Sequence, residues 1–132
     1  MKVKTEALSN ADANWLVASI IKRPADLLVW EDDQPILVRS LLGHQDKLRC
    51  AFCTDWEQAG SLVDRLGIRV EPEAFSTDGF ASWRADVPKG PTSEHGYLWM
   101  TAATATKAIA LAFIAFHLGA QVDVPDRHPI AA

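Results

Sequence analysis

Trp15, Leu16, Ser19 and Ile20 recur at helical spacing behind Ser9-Asn10-Ala11-Asp12, which has the form of a capping box, until Arg23-Pro24 stops the pattern. This predicts a first helix over about 10–22. Two short β-prone runs follow, Leu27-Leu28-Val29-Trp30 and Ile36-Leu37-Val38-Arg39, separated by the polar turn Glu31-Asp32-Asp33-Gln34-Pro35, so they read as a hairpin. Gly43-His44-Gln45-Asp46 makes the next turn, and Leu48 to Cys53 reads as a mostly buried strand. A second capping box, Thr54-Asp55-Trp56-Glu57, opens a helix with Ala59, Leu62, Val63 and Leu66 on one face and Gly67 at its end.

Beyond it, Ile68-Arg69-Val70-Glu71 and Phe80-Ala81-Ser82-Trp83-Arg84-Ala85 alternate with period two around Ser76-Thr77-Asp78-Gly79, a second antiparallel pair with one solvated, charged face. Val87 to Ser93 is a loop by composition, and the chain stays polar to Gly96. The last helix, from Thr101 or Thr104 to His117, is apolar nearly all round. Its alanines at 105, 108, 112 and 115 form a small-residue stripe that suits either a central core helix or a homodimer seam through 104–118. Gly119 ends it, and Gln121-Val122-Asp123-Val124-Pro125 extends beyond. Together these elements predict one α+β domain over 1–126 with a tail at 127–132. A largely antiparallel sheet of four to six strands is covered by about three helices.

With 132 residues and 48% hydrophobic content, the chain has the apolar side chains for a single core, and disorder is not expected. Its net charge of −4 falls entirely within residues 50–94, so there is no basic field for nucleic acid. The apolar run from Tyr97 to Leu118 is divided by Lys107 and closed by His117, too short for a membrane anchor. Two cysteines and a start without a signal-peptide core lead to the expectation of a cytosolic protein.

Cys50-Ala51-Phe52-Cys53 has CxxC spacing but lacks a second ligand pair, so two buried structural thiols are expected and no metal. His44, His95, His117 and His128 share no helix face, and His117 is explained by a helix C-terminus that favours a cation. Glu31-Asp32-Asp33 reads as a solvated turn, lacking the spacing of a calcium loop. With no phosphate-cradling loop, nucleophile elbow or HExxH, neither an enzyme nor a cofactor is expected.

The distinctive excess is aromatic: Trp15, Trp30, Trp56, Trp83 and Trp99, five tryptophans against one tyrosine. Some belong to the core, while others suit an interface or a stacked base. The candidate recognition surface comprises Thr54, Asp55 and Trp56 at the second helix start, the Ser76, Thr77 and Asp78 turn, and Trp83, Tyr97 and Trp99. Arg65, Arg69 and Arg84 would add positive charge if they converge.

Several segments together resemble the NinX-like phage proteins. They are Met1-Lys2-Val3-Lys4-Thr5 before a Trp-containing helix, Cys53-Thr54-Asp55-Trp56 leading into Ala59 to Ile68, Trp83 two residues before Ala85, and Leu118-Gly119-Ala120-Gln121-Val122-Asp123-Val124-Pro125. The matches run in the family's order to about Asp126. The resemblance implies an α/β/α sandwich domain of phage or prophage origin, without catalytic residues to carry over. The chain departs from the pattern in an extra stretch from Ser93 to Ala103 and a longer acidic hairpin around Asp32 and Asp33. The expected function is that of a non-enzymatic phage accessory protein that binds a host or defence protein. The alternative is a sponge for a nucleotide-like immune signal, held at a dimer interface.

Overall fold

The computed structural model describes residues 2–76, 79–88 and 97–124. Helix α1 (Asn10–Ile21) starts at Ser9, whose hydroxyl accepts from Asp12 N at 3.2 Å, and stops before Pro24. Helix α2 (Trp56–Leu66) begins one residue later than the sequence box suggests. Asp55 is the cap, accepting from Glu57 N at 2.9 Å, and Thr54 precedes it in a turn. Gly67 closes α2 with φ 65°, a left-handed conformation that glycine adopts without steric cost. Helix α3 (Ala105–Leu118) is capped by Thr104, which accepts from Lys107 N at 3.3 Å.

The strands are β1 (Lys2–Lys4), β2 (Leu27–Glu31), β3 (Gln34–Leu41), β4 (His44–Arg49), β5 (Arg69–Ser76), β6 (Gly79–Pro88), β7 (Tyr97–Ala102) and β8 (Gln121–Asp123). Among the described residues all pairings are antiparallel, in three sheets of order β1-β8, β2-β3-β4 and β5-β6-β7. The α+β class is as expected, whereas the strands are more numerous and are divided among sheets instead of sharing one. The added strands are short or masked by their neighbours in sequence. β7 runs into the apolar approach to α3, and β1 pairs with β8 across nearly the whole chain. Residues 89–96, and with them part of the expected loop, lie outside the described residues, as does the tail at 127–132.

Two hairpin turns differ from the sequence reading. Asp32 and Asp33 both have positive φ, 52° and 59°, so the first turn is two residues long and Pro35 sits inside β3. The second turn is Leu42-Gly43, with φ 49° and 81°, which moves β4 onto the polar run His44 to Arg49. A leucine in the left-handed region is strained, and Leu42 is 93% exposed, so its side chain gains nothing from packing. Leu42→Asn, which creates the Asn-Gly pair such turns prefer, is expected to raise stability by about 1 kcal/mol, read as a higher urea midpoint.

Of the expected buried strand at 48–53, Leu48 and Arg49 end the exposed β4, and 50–53 form an irregular, mostly buried crossing. Its backbone is satisfied piecemeal: Cys50 N donates to Pro35 O at 3.0 Å, Ala51 N to Gln58 Oε1 at 2.7 Å, and Cys53 N to Asn14 Oδ1 at 2.9 Å. Cys53 O accepts from Thr106 Oγ1 at 2.6 Å. Partners from β3, α1, α2 and α3 thus replace a ladder, as buried peptide groups require.

α3 packs on the β5-β6-β7 sheet and on both α1 and α2, while α1 also packs on β2 and β3. Ten α3 residues, from Ala105 to Ala115, are buried, which explains its apolar circumference. Ala108 and Ala112 in the alanine stripe are fully buried and Ala105 and Ala115 nearly so, which is the core-helix reading of that stripe. Lys107, the cation within this run, donates to Leu8 O at 2.7 Å. Thr5 clasps the chain ends, donating its hydroxyl to Gly119 O at 2.7 Å and its N–H to Ala120 O at 2.8 Å. No helix among the described residues is long and apolar enough to cross a membrane.

Asp26 is a buried charge that joins the end of α1 to β3. It accepts from Arg23 N at 3.0 Å and Arg39 Nε at 3.3 Å, with the Arg23 guanidinium at 3.4 Å. Burial by itself would raise its pKa, but the Arg23 N–H and the two guanidiniums outweigh it and hold the group below its ordinary 3.8. A depressed carboxylate stabilises the fold above its unfolded pKa, and that contribution disappears as pH falls through the folded value. Urea midpoints should therefore drop more steeply below pH 3.8 in the wild type than in Asp26→Asn, with parallel curves over about pH 5–8.

Candidate functional site

Strand β6 alternates strictly: Ala85 and Val87 face α3 and are buried, while Arg84 and Asp86 lie on the outer face. Register across the sheet sets Arg69, Asp86 and Trp99 in one row and Glu71, Arg84 and Thr101 in the next. Arg84 Nε donates to Asp86 Oδ1 at 2.9 Å, and the Arg84 guanidinium carbon stands 4.9 Å from the centre of the Trp99 ring. The Asp86 side chain is only 7% exposed, so the carboxylate is a fixed post under the arginine. Trp99, 51% exposed, offers an aromatic surface whose orientation is already set by the stacked guanidinium.

This outer face gathers three of the residues picked out from sequence: Arg69, Arg84 and Trp99. Tyr97 stands opposite Pro88 at the start of β7. Trp83 is paired with Ala102 and packs, partly buried, against the core, so it lies on the other side of the sheet. Ser76 pairs with Gly79, and Thr77 and Asp78 lie outside the described residues. Trp15 and Trp30 stack on each other with ring centres 4.6 Å apart and planes 5° apart, a packing role.

The remaining candidates belong to α2. Thr54 donates to Ala51 O at 3.5 Å, Asp55 caps the helix, and Trp56 is 59% exposed in its first turn. Asp55 and Arg65 line a groove of about 420 Å³ between α2 and the β2-β3-β4 sheet, so Arg65 does not join Arg69 and Arg84. Arg65 instead lies near His117, whose ring packs 4.6 Å from Phe113 and 5.2 Å from Phe116. Partial burial, reinforced by Arg65, pushes His117 below its ordinary 6.5. The neutral ring is favoured there, in place of the cation a helix C-terminus alone would attract.

Asp86, Asn14, Thr106 and Gln58 are not marked by the sequence pattern; Asn14 and Thr106 act on Cys53 from 39 and 53 residues away, Gln58 bonds to Arg49 and Ala51, and Asp86 holds Arg84 two residues before it. For Asn14 the available signal was an amide set among the apolar positions Ala13, Leu16 and Val17, since a buried amide needs a partner.

Cys50 and Cys53 are free and buried, and burial raises both thiols to about 11. Their thiolate fraction near neutral pH is therefore about a hundredfold below that of an exposed cysteine. A thiol reagent should label neither in the folded protein and both in urea. Among the described residues, no group of three or more His, Cys, Asp or Glu is placed to hold a metal ion. Arginine and tryptophan supply stacking and hydrogen-bond donation, and neither exchanges a proton near neutral pH.

No protein-family model matches the chain, and no curated protein matches it. The resemblance to NinX-like phage proteins therefore rests on the quoted segments alone.

Proposed function

We propose that the chain is a protein-interaction module that works through the outer face of β5-β6-β7, with Trp99 and Arg84 as its anchors. The observation that carries this reading is the half-exposed Trp99 ring with Arg84 stacked over it and tied to the buried Asp86. Interfaces concentrate their binding energy in tryptophan, tyrosine and arginine, and side chains ordered in advance lose little freedom on binding. With the resemblance above, the partner in this reading is a host or defence protein met by a phage accessory protein in the bacterial cytoplasm. A second reading, capture of a nucleotide-like signal, draws on Arg84 stacked on Trp99 and on Arg69 in the same row of the sheet, with Asp86 between Arg69 and Trp99.

A photo-crosslinking amino acid at Thr101, on this face, tests the proposal in cells producing the protein. The expected result is a protein-sized adduct that disappears in Trp99→Ala. The same probe at Asp64, exposed on α2, should give none. Equal adducts at both positions, or an adduct indifferent to Trp99→Ala, would count against the interface. A retained mass of only a few hundred daltons would favour the sequestration reading.

A further inference from the structure

Edge strands are ordinarily blunted by proline, a bulge or a charge. β5 follows that rule with Pro72 and a break in register between Pro72 and Ala74. β4 has neither proline nor bulge: it pairs with β3 without a break, and its six residues are all exposed. Its charged residues are Asp46, Lys47 and Arg49, and Lys47 lies over the sheet against Glu31 at 3.4 Å.

Leu41 and His44 flank a two-residue turn, so the backbone groups of His44, Asp46 and Leu48 bond to β3 and those of Gln45, Lys47 and Arg49 point away. At the far end of this outward row the Gln58 carboxamide stands in for a neighbouring strand. Its Nε2 donates to Arg49 O at 2.8 Å and its Oε1 accepts from Ala51 N at 2.7 Å. One amide bridging residues two apart reproduces the bonding of a parallel ladder. The outward backbone groups of Gln45 and Lys47 have no partner among the described residues.

The groove of about 420 Å³ adjoins this edge. Ile21, Leu48 and Phe52 give it an apolar lining, Arg39 and Arg65 bring positive charge, and Asp55 and Glu57 bring negative charge. Leu48 shares a face of β4 with His44 and Asp46, so a strand added here sets every second side chain over the groove. Asp55 and Arg65 bracket α2 and are separated by about 15 Å of helix, the length of about four or five residues of strand.

We infer that the β4 edge and this groove bind an extended peptide of a partner protein by strand addition. Alternate residues of that peptide are an acid toward Arg65, an apolar side chain against Leu48 and a base toward Asp55 and Glu57. Ladder bonds supply affinity that is independent of sequence, and the charged groove supplies the choice. This surface is separate from the Trp99 face and does not depend on it.

The probe is a displayed library of random short peptides, selected on the full chain. Enriched peptides should show the acid, apolar, base alternation, and the Gln45 and Lys47 N–H groups should exchange more slowly in the complex. Lys47→Pro removes an outward N–H that β3 does not use, so the fold is kept while affinity falls at least about tenfold. Lys47→Ala keeps the N–H and stays within about twofold of the wild type, and Trp99→Ala leaves binding unchanged. Arg65→Glu should switch the preferred acid to a base. Enrichment of no peptide would overturn the inference, as would peptides that bind Lys47→Pro as tightly as Lys47→Ala with unchanged exchange at Gln45 and Lys47. Self-association of the chain that is lost in Lys47→Pro, without peptide binding, would assign the edge to a second copy instead.

Discussion

Phe113→Ala is expected to lower the free energy of unfolding by about 4 kcal/mol, the largest effect of any single truncation considered for this fold. Phe113 is 1% exposed and lies on α3, which packs against the β5-β6-β7 sheet and both other helices. Neighbours on several elements cannot all move into the space left by a phenyl ring, so lost transfer energy and a residual cavity add together. The change also removes the ring on which His117 packs at 4.6 Å. Small domains have about 5–15 kcal/mol in all, so the variant should unfold at a much lower urea concentration with an unchanged slope. Phe113→Leu, which keeps most of the volume, should cost about 1–2 kcal/mol; an equal loss from both variants would show that the site collapses freely.

The second large effect is at Asn14, with Asn14→Ala expected to cost about 3 kcal/mol. Its Oδ1 accepts from Cys53 N at 2.9 Å inside the core, so truncation leaves a buried N–H without its acceptor. Thr106 completes the arrangement by donating to Cys53 O at 2.6 Å, so one peptide residue is held by two helices. Thr106→Val should cost about 1–2 kcal/mol alone. Because both side chains fix the same segment, the double variant should lose less than the two single losses combined. Chemical denaturation of the four proteins checks this, and strict additivity would mean that the two bonds act independently.

Helix ends were legible because caps are local chemistry: Ser9, Gly67 and Thr104 act within a few residues of their own positions. β4 was misplaced because the apolar letters of Leu48 to Cys53 resemble a buried strand. The true ladder runs along His44 to Arg49, an edge solvated on both sides and therefore without alternation. β7 was missed because Tyr97 to Ala102 merges with the apolar run of α3, and periodicity cannot divide a continuous apolar stretch. At the candidate site, residue type alone marks Arg69, Arg84 and Trp99, and only strand register brings them together. The same register places Trp83 on the inner side and makes Asp86 the post on which Arg84 rests. Contacts such as Asn14 with Cys53 join segments that local patterns treat separately, so no window of sequence contains them.

The most direct test of the central claim is native mass spectrometry of the protein recovered from extract of phage-infected host cells, as wild type, Trp99→Ala and Trp56→Ala. The account predicts a protein-sized partner on the wild type, loss of about 2 kcal/mol or more of binding in Trp99→Ala, and retention in Trp56→Ala. Thermal unfolding of Trp99→Ala should shift little, since the stacked arginine contributes about 0.5–1 kcal/mol at an exposed site. A partner held equally by the wild type and by a folded Trp99→Ala protein would contradict the account and move the working surface away from the outer face of β5-β6-β7.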